Sequence, residues 1–253
     1  MKQNFAHQWL LTATAALALT LPASALDVNS MSDIERDAFQ QEVRRYLLEN
    51  PEIIIEAIGL LEERQAQDQA QADIDLVRAN KDALFNDANS WSGGNLDGDI
   101  TLVEFVDYRC GYCRRAAPEL QSFLNTDTNV RIIVKEFPIL GDASLISSRF
   151  AIATRQLAGD NAYKSVHDAL LAMNGEVNSR SLKRLGRSLD LPTDDIIAHM
   201  DSHEVTAVIA ANHQLAQKLK ISGTPTFVIG EQMVRGFIDA DQLQQISNEM
   251  RSK

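Results

Sequence analysis

The 253-residue sequence predicts an α/β fold that carries a large helical insertion and follows an amino-terminal helical region, on three observations. Two short apolar runs, Ile100–Val106 and Val130–Phe137, flank a helical segment from Arg114 to Leu124. Strand, helix and strand in that order imply parallel strands joined by a right-handed crossover. The stretch from Ser144 to Lys220 reads as helix after helix, and the residues before Phe85 combine amphipathic with polar helical sequence.

Composition is that of an ordinary globular protein, 45% hydrophobic and 23% charged, with enough length for one sizeable core and an appendage. A formal net charge of −11 argues against nucleic acid as a partner.

The chain starts with the marks of a secretory signal. Met1-Lys2 is a positive start, Trp9 to Leu21 is apolar apart from three threonines, and Ala23-Ser24-Ala25 supplies small residues for cleavage. A membrane span needs roughly 20 apolar residues, more than this segment offers. Residues 1–25 are therefore expected to be a signal peptide, with a mature chain starting near Leu26 and working in the periplasm.

Ser32-Asp33-Ile34-Glu35 has the pattern of a capping box, and Phe39, Val43, Tyr46 and Leu47 then share one helical face. Asn50-Pro51 ends that helix and begins another, striped by Ile54, Ala57, Ile58 and Leu61. The run from Glu62 to Gln71 is polar and helix-forming; it fits a solvated connecting helix, a self-pairing arm, or a helix folded back on the main domain. The expected divisions are a helical arm over 26–85 and a main domain over 86–253, with residues 86–99 a loop and the insertion at about 143–220. Within the insertion, helices start at Ser179 and Thr193. Thr226 to Gly230 and Met233 to Phe237 form a hairpin, and Ala240 to Met250 a last helix.

Cys110 and Cys113, the two cysteines of the chain, lie where the first strand gives way to a helix. Random placement would set two cysteines three apart about once in a hundred sequences of this length. A disulfide across so short a loop stabilises a fold by only about 2 kcal/mol, which makes it a poor staple and a good reversible dithiol. Unpaired N–H groups at the helix start favour a thiolate at Cys110, the attacking sulfur, while Cys113 resolves the mixed disulfide. Arg109, Arg114 and Arg115 add positive charge nearby. A structural zinc site would need four ligands; His167, His199, His203 and His213 show no such spacing, although His199 and His203 sit four apart on a potential helix. No metal and no cofactor is expected.

The segment Phe105-Val106-Asp107-Tyr108-Arg109-Cys110-Gly111-Tyr112-Cys113-Arg114-Arg115, with Gly223-Thr224-Pro225-Thr226-Phe227 far downstream, resembles the DsbA-like branch of the thioredoxin superfamily. The resemblance covers roughly Asn95 to Met250 and implies a thioredoxin fold with a helical insertion. It further implies that Pro225 is a cis-proline opposite the cysteines, where Thr224, Pro225, Gly111 and Tyr112 meet a substrate strand. Glu104 takes the place of a buried acid beneath the cysteines, able to exchange a proton with Cys113; the residue pattern alone leaves open a water-facing side chain. The pair Gly111-Tyr112 departs from the Pro-His of strongly oxidising members, and Thr224 is a residue often seen in isomerases and reductases.

Val43-Arg44-Arg45-Tyr46-Leu47-Leu48-Glu49-Asn50-Pro51-Glu52, ahead of such a domain, resembles the suppressor-of-copper-sensitivity C-type (ScsC-like) proteins. That resemblance implies a periplasmic disulfide isomerase or reductase acting on misfolded or newly exported proteins. It also implies a membrane-embedded redox partner and a homo-oligomer, such as a trimer, built through the amino-terminal helices. A DsbA-type oxidase, a copper-handling protein and a holdase remain as alternatives.

Overall fold

A computed structural model describes residues 30–252. The expected signal segment lies outside them. Among the described residues no helix is long and apolar enough to cross a membrane. The chain divides into two compact units, one ending at Leu61 and one beginning at Glu62.

In the first unit, helix α1 (Asp33–Glu49) starts at the anticipated capping box. The Ser32 hydroxyl accepts the Glu35 N–H, and the Glu35 carboxylate accepts the Ser32 N–H. Helix α2 (Glu52–Ala79) begins in this unit and ends in the second. No residue of α1 is buried; Phe39, Val43, Tyr46, Leu48, Ile54 and Leu61 are all exposed.

The second unit is built on a five-stranded sheet in the order β1-β3-β2-β4-β5. Strands β2 (Ile100–Val106) and β3 (Val130–Glu136) are parallel, with Glu104 beside Val134, and helix α4 (Gly111–Thr126) connects them. Strands β4 (Thr226–Ile229) and β5 (Gln232–Arg235) form an antiparallel hairpin, β4 lying against β2. Strand β1 (Trp91–Gly94) pairs antiparallel with the outer edge of β3. That pairing corrects the expected loop over 86–99. Trp91-Ser92-Gly93-Gly94 has turn composition, and the edge of β3 makes it a strand.

Side chains alternate across the sheet. Leu102 and Val106 of β2 enter a core shared with α4, the insertion and helix α9 (Ala240–Arg251); Val103 and Phe105 enter another with Val77, Leu84 and Leu215. The last turns of α2 and helix α3 (Lys81–Phe85) thus cover one sheet face. Asp73 pairs with Arg235, and Arg78 with Glu231 at 2.7 Å, tying α2 to the β4–β5 hairpin. The exposed run from Glu62 to Gln71 is the solvated part of α2, and its end is the docked part.

The insertion comprises α5 (Asp142–Ala172), α6 (Ser179–Ser188), α7 (Thr193–His199) and α8 (His203–Lys218). Helix α5 is broken at Gly159, whose φ of 84° suits a residue without a side chain. His199 ends α7 and His203 opens α8, so the two do not share a helical face as their spacing suggests. Where α6 meets α7, a Cβ on Gly186 would lie 2.5 Å from Thr193 Oγ1 and 2.9 Å from its Cγ2. Thr193 is buried and β-branched, and its hydroxyl donates to the Leu191 carbonyl at 3.0 Å, which holds the side chain in place. Gly186→Ala is therefore expected to destabilise the protein by about 1–3 kcal/mol in urea unfolding.

Candidate active site

Cys110 is the N-cap of α4, and the helix begins at Gly111 within the motif. The turn that delivers it is fixed by buried Asp107. The Asp107 carboxylate accepts the N–H groups of Arg109 (2.7 Å), Ile139 (2.8 Å) and Leu140 (3.1 Å), while its carbonyl accepts that of Cys110 (3.1 Å). One carboxylate thereby joins the loop after β2 to the loop after β3. Cys110 keeps 7% of its surface exposed and Cys113, a turn into α4, none.

The Thr224–Pro225 peptide bond is cis. Cys110 Sγ lies 3.1 Å from the Thr224 carbonyl oxygen, which accepts from the thiol. The Pro225 carbonyl in turn accepts the Gly236 N–H at 2.9 Å, anchoring this segment to the residues that follow β5. Cys110 thus faces the Thr224–Pro225 segment across 114 residues of sequence, while among the described residues no hydrogen bond or ring contact joins Gly111 or Tyr112 to it.

Glu104 is 2% exposed and lies on the β2 face directed at α4. Burial, with the nearby Glu136 charge, pushes its carboxyl up to about 8. The Cys113 thiol is held well above the usual thiol range, first by burial and then by Glu104. Glu104 and His167 both line a cavity of about 240 Å³. The cavity is also lined by Gln121, Asn125, Lys164 and Asp168, which are exposed or half-buried.

A second buried acid escaped the sequence reading. Glu136, at the end of β3, accepts hydrogen bonds from Tyr108 (2.6 Å), Tyr163 (2.6 Å) and Ser148 (2.7 Å), and Tyr108 also contacts His167 Nδ1 at 3.0 Å. Burial pushes Glu136 up to about 7 against these three donors, and burial pulls His167 down to about 4. Tyr108 precedes Cys110 by two residues, so the network anchors the loop that leads into the dithiol. Arg114 braces it from the side, its guanidinium donating to the carbonyls of Tyr108 (3.1 Å) and Met173 (2.8 Å). Arg115 lies over the rings of Tyr112 and Phe237. Among the described residues no group of three or more His, Cys, Asp or Glu side chains is arranged to hold a metal.

Residues 101–248 match the DSBA-like thioredoxin domain, and residues 35–68 the copper resistance protein ScsC N-terminal domain. A thioredoxin-like oxidoreductase from Silicibacter pomeroyi is 43% identical in sequence, with a TM-score of 0.65, over 69% of this chain and 99% of that one. Proteus mirabilis ScsC in a transitional conformation is 29% identical, with a TM-score of 0.63, over 87% of this chain and 97% of that one. The Na(+)/H(+) antiporter NhaA 3 of Salinispora tropica is 32% identical over 136 residues, 54% of this chain and 21% of the antiporter. The chain therefore spans under two thirds of that relative's length.

Proposed function

Because the chain belongs to the DSBA-like thioredoxin domain family and is a thiol–disulfide oxidoreductase, we propose that it serves exported proteins as a disulfide isomerase or reductase. The observation that carries this direction is the amino-terminal match to an ScsC domain over two helices whose apolar side chains are exposed. Such faces favour self-association, which gathers several dithiols around one substrate. A secretory leader and a periplasmic setting, where substrates with wrong disulfides occur, complete the reading.

In the proposed cycle the Cys110 thiolate attacks a substrate disulfide, and one substrate sulfur leaves as a thiolate. That thiolate either attacks another disulfide of the same substrate, whose displaced thiolate then attacks the mixed disulfide and frees Cys110 as a thiolate, so that pairing is rearranged with no net redox change, or waits. In the second case Cys113 attacks Cys110, releases the substrate dithiol and leaves a Cys110–Cys113 disulfide. Two electrons have then passed to the substrate, and a membrane-embedded dithiol donor restores the starting state. Glu104 takes the Cys113 proton as that sulfur attacks and later returns it. Thr224 and Pro225 hold the substrate strand.

Reactivation of scrambled ribonuclease tests the direction. The reduced protein is expected to restore activity faster than its oxidised form oxidises the reduced, unfolded enzyme. The reverse order, together with a fully oxidised dithiol trapped in the periplasm, would replace this reading with that of an oxidase. Light scattering of the chain from residue 26 is expected to give a multiple of the monomer mass, three being the number the resemblance implies. A monomer at micromolar concentration would remove the oligomer. Glu104→Gln is expected to slow the Cys113 step by about ten- to a hundredfold and to flatten its dependence on pH between 6 and 9, followed by stopped flow. An unchanged pH profile would remove Glu104 from proton transfer.

The description of the amino-terminal match favours a second reading, copper handling by the two sulfurs as soft ligands. Equilibrium dialysis with Cu(I), using Cys110→Ser as control, decides it; no uptake at micromolar metal ends it.

A further inference from the structure

Two rings and a cation stand on the rim of the dithiol. Tyr112, inside the motif, is 58% exposed and Phe237 36%. The Arg115 guanidinium carbon lies 5.6 Å from the centre of the first ring and 5.1 Å from that of the second. Tyr112 belongs to the first turn of α4. Phe237 follows Gly236, whose N–H holds the Pro225 carbonyl. Tyr112 therefore comes from the helix that carries the dithiol and Phe237 from the segment that holds the Pro225 carbonyl, and Arg115 joins them.

Among the described residues, no carboxylate forms an ion pair with Arg115. Glu119, one turn along α4, accepts the Ala240 N–H at 3.1 Å instead, and Asp239 caps α9 through the Gln242 N–H at 2.8 Å. Elsewhere Arg45, Arg78, Arg155, Arg235 and Arg251 each hold an acid. Arg114 adds a second cation bound only to main-chain carbonyls. The entrance to the dithiol is thus locally cationic in a chain of net charge −11. A guanidinium stacked on rings keeps its charge and a row of N–H donors at its edge, a shape that matches a carboxylate.

We infer that the Tyr112–Arg115–Phe237 stack receives the substrate segment beside its reacting cysteine, and that it selects segments carrying an acidic side chain over those carrying a basic one. The inference rests on the oxidoreductase reading and names a substrate class for it. The rings supply apolar contact to any extended segment, and Arg115 supplies the discrimination.

Three peptide disulfides that differ only in Glu, Gln or Lys beside the cysteine test it. Each is reduced by the protein, and each rate is divided by that with dithiothreitol, which removes the effect of charge on the peptide sulfur. The Glu peptide is expected to react about three- to tenfold faster than the Lys peptide at low salt, with Gln between them, and the ratio should shrink towards one near 0.5 M salt. Arg115→Gln is expected to bring the ratio below about twofold and Arg115→Lys to leave it between that of Arg115→Gln and that of the unaltered protein, because the charge survives but the stacked row of N–H donors does not. Equal rates for all three peptides with the unaltered protein, or a full ratio in Arg115→Gln, would overturn the inference and leave the oxidoreductase reading intact. Failure to reduce any of the peptides would instead sink that reading itself.

Discussion

Cys113→Ala is expected to turn the protein from a catalyst into a trap, with substrate held through Cys110 and released at least about a thousandfold more slowly at millimolar external thiol. Cys113 is fully buried one turn inside α4, so it reaches the Cys110 sulfur by an intramolecular step that no dissolved thiol matches for orientation. Cys110 is the sulfur with residual exposure and the one that faces the Thr224 carbonyl. Cys110→Ala should therefore form no covalent complex at all, since Cys113 alone neither meets a substrate nor ionises readily in its buried place. Non-reducing gels and intact-mass spectra separate the two variants. A complex that formed as readily through Cys113 would exchange the roles given to the two sulfurs.

Glu136→Ala is expected to cost about 3–5 kcal/mol of stability, a fall of about 10–15 °C in Tm. The loss has a local cause. Three buried hydroxyls, on Tyr108, Tyr163 and Ser148, have Glu136 as their acceptor, and alanine leaves each without it. Glu136→Gln should cost about 1 kcal/mol, because an amide oxygen still serves both tyrosines while its NH2 donates to Ser148 Oγ. Denaturant unfolding of both variants checks this; a loss under 1 kcal/mol for the alanine variant would show that the network is not a structural support. Proton linkage gives a further mark. Glu136 and Glu104 both bind their protons more tightly folded than unfolded, so each stabilises the fold below the unfolded carboxyl range near pH 4.5. That contribution is lost as pH rises through about 7 for Glu136 and about 8 for Glu104. Asp127 has the opposite sign. Hydrogen bonds from Arg251 hold its carboxyl down to about 2, so its contribution is present above pH 4 and lost as pH falls towards 2.

Much of this was legible in the order of residues. The apolar runs marked β2 and β3 to within a residue, and the motif at their junction marked the start of α4. Ser32-Asp33-Ile34-Glu35 marked the capping box because its interactions are local. Strand β1 was not legible, since Gly93 and Gly94 become strand only by pairing with Ile132 and Arg131. Glu104 was singled out by its place beneath the cysteines, but its facing was settled only by the sheet. Glu136 was hidden altogether. Its partners lie 12 to 28 residues away, on a loop and on α5, and nothing local distinguishes it from a solvated acid at a strand end. The Tyr112–Arg115–Phe237 stack was hidden for the same reason, because Phe237 stands 122 residues beyond Arg115 in the chain.

Acid-quenched mapping of the first covalent species tests the reaction centre most directly. Reduced protein is mixed with a peptide disulfide, stopped within milliseconds, alkylated and digested. The peptide is expected on Cys110 at the earliest times, followed by a Cys110–Cys113 disulfide that grows as the adduct decays. A first adduct on Cys113, or peptide reduction with both cysteines still alkylated as free thiols throughout, would contradict the assignment of Cys110 as the exchanging sulfur.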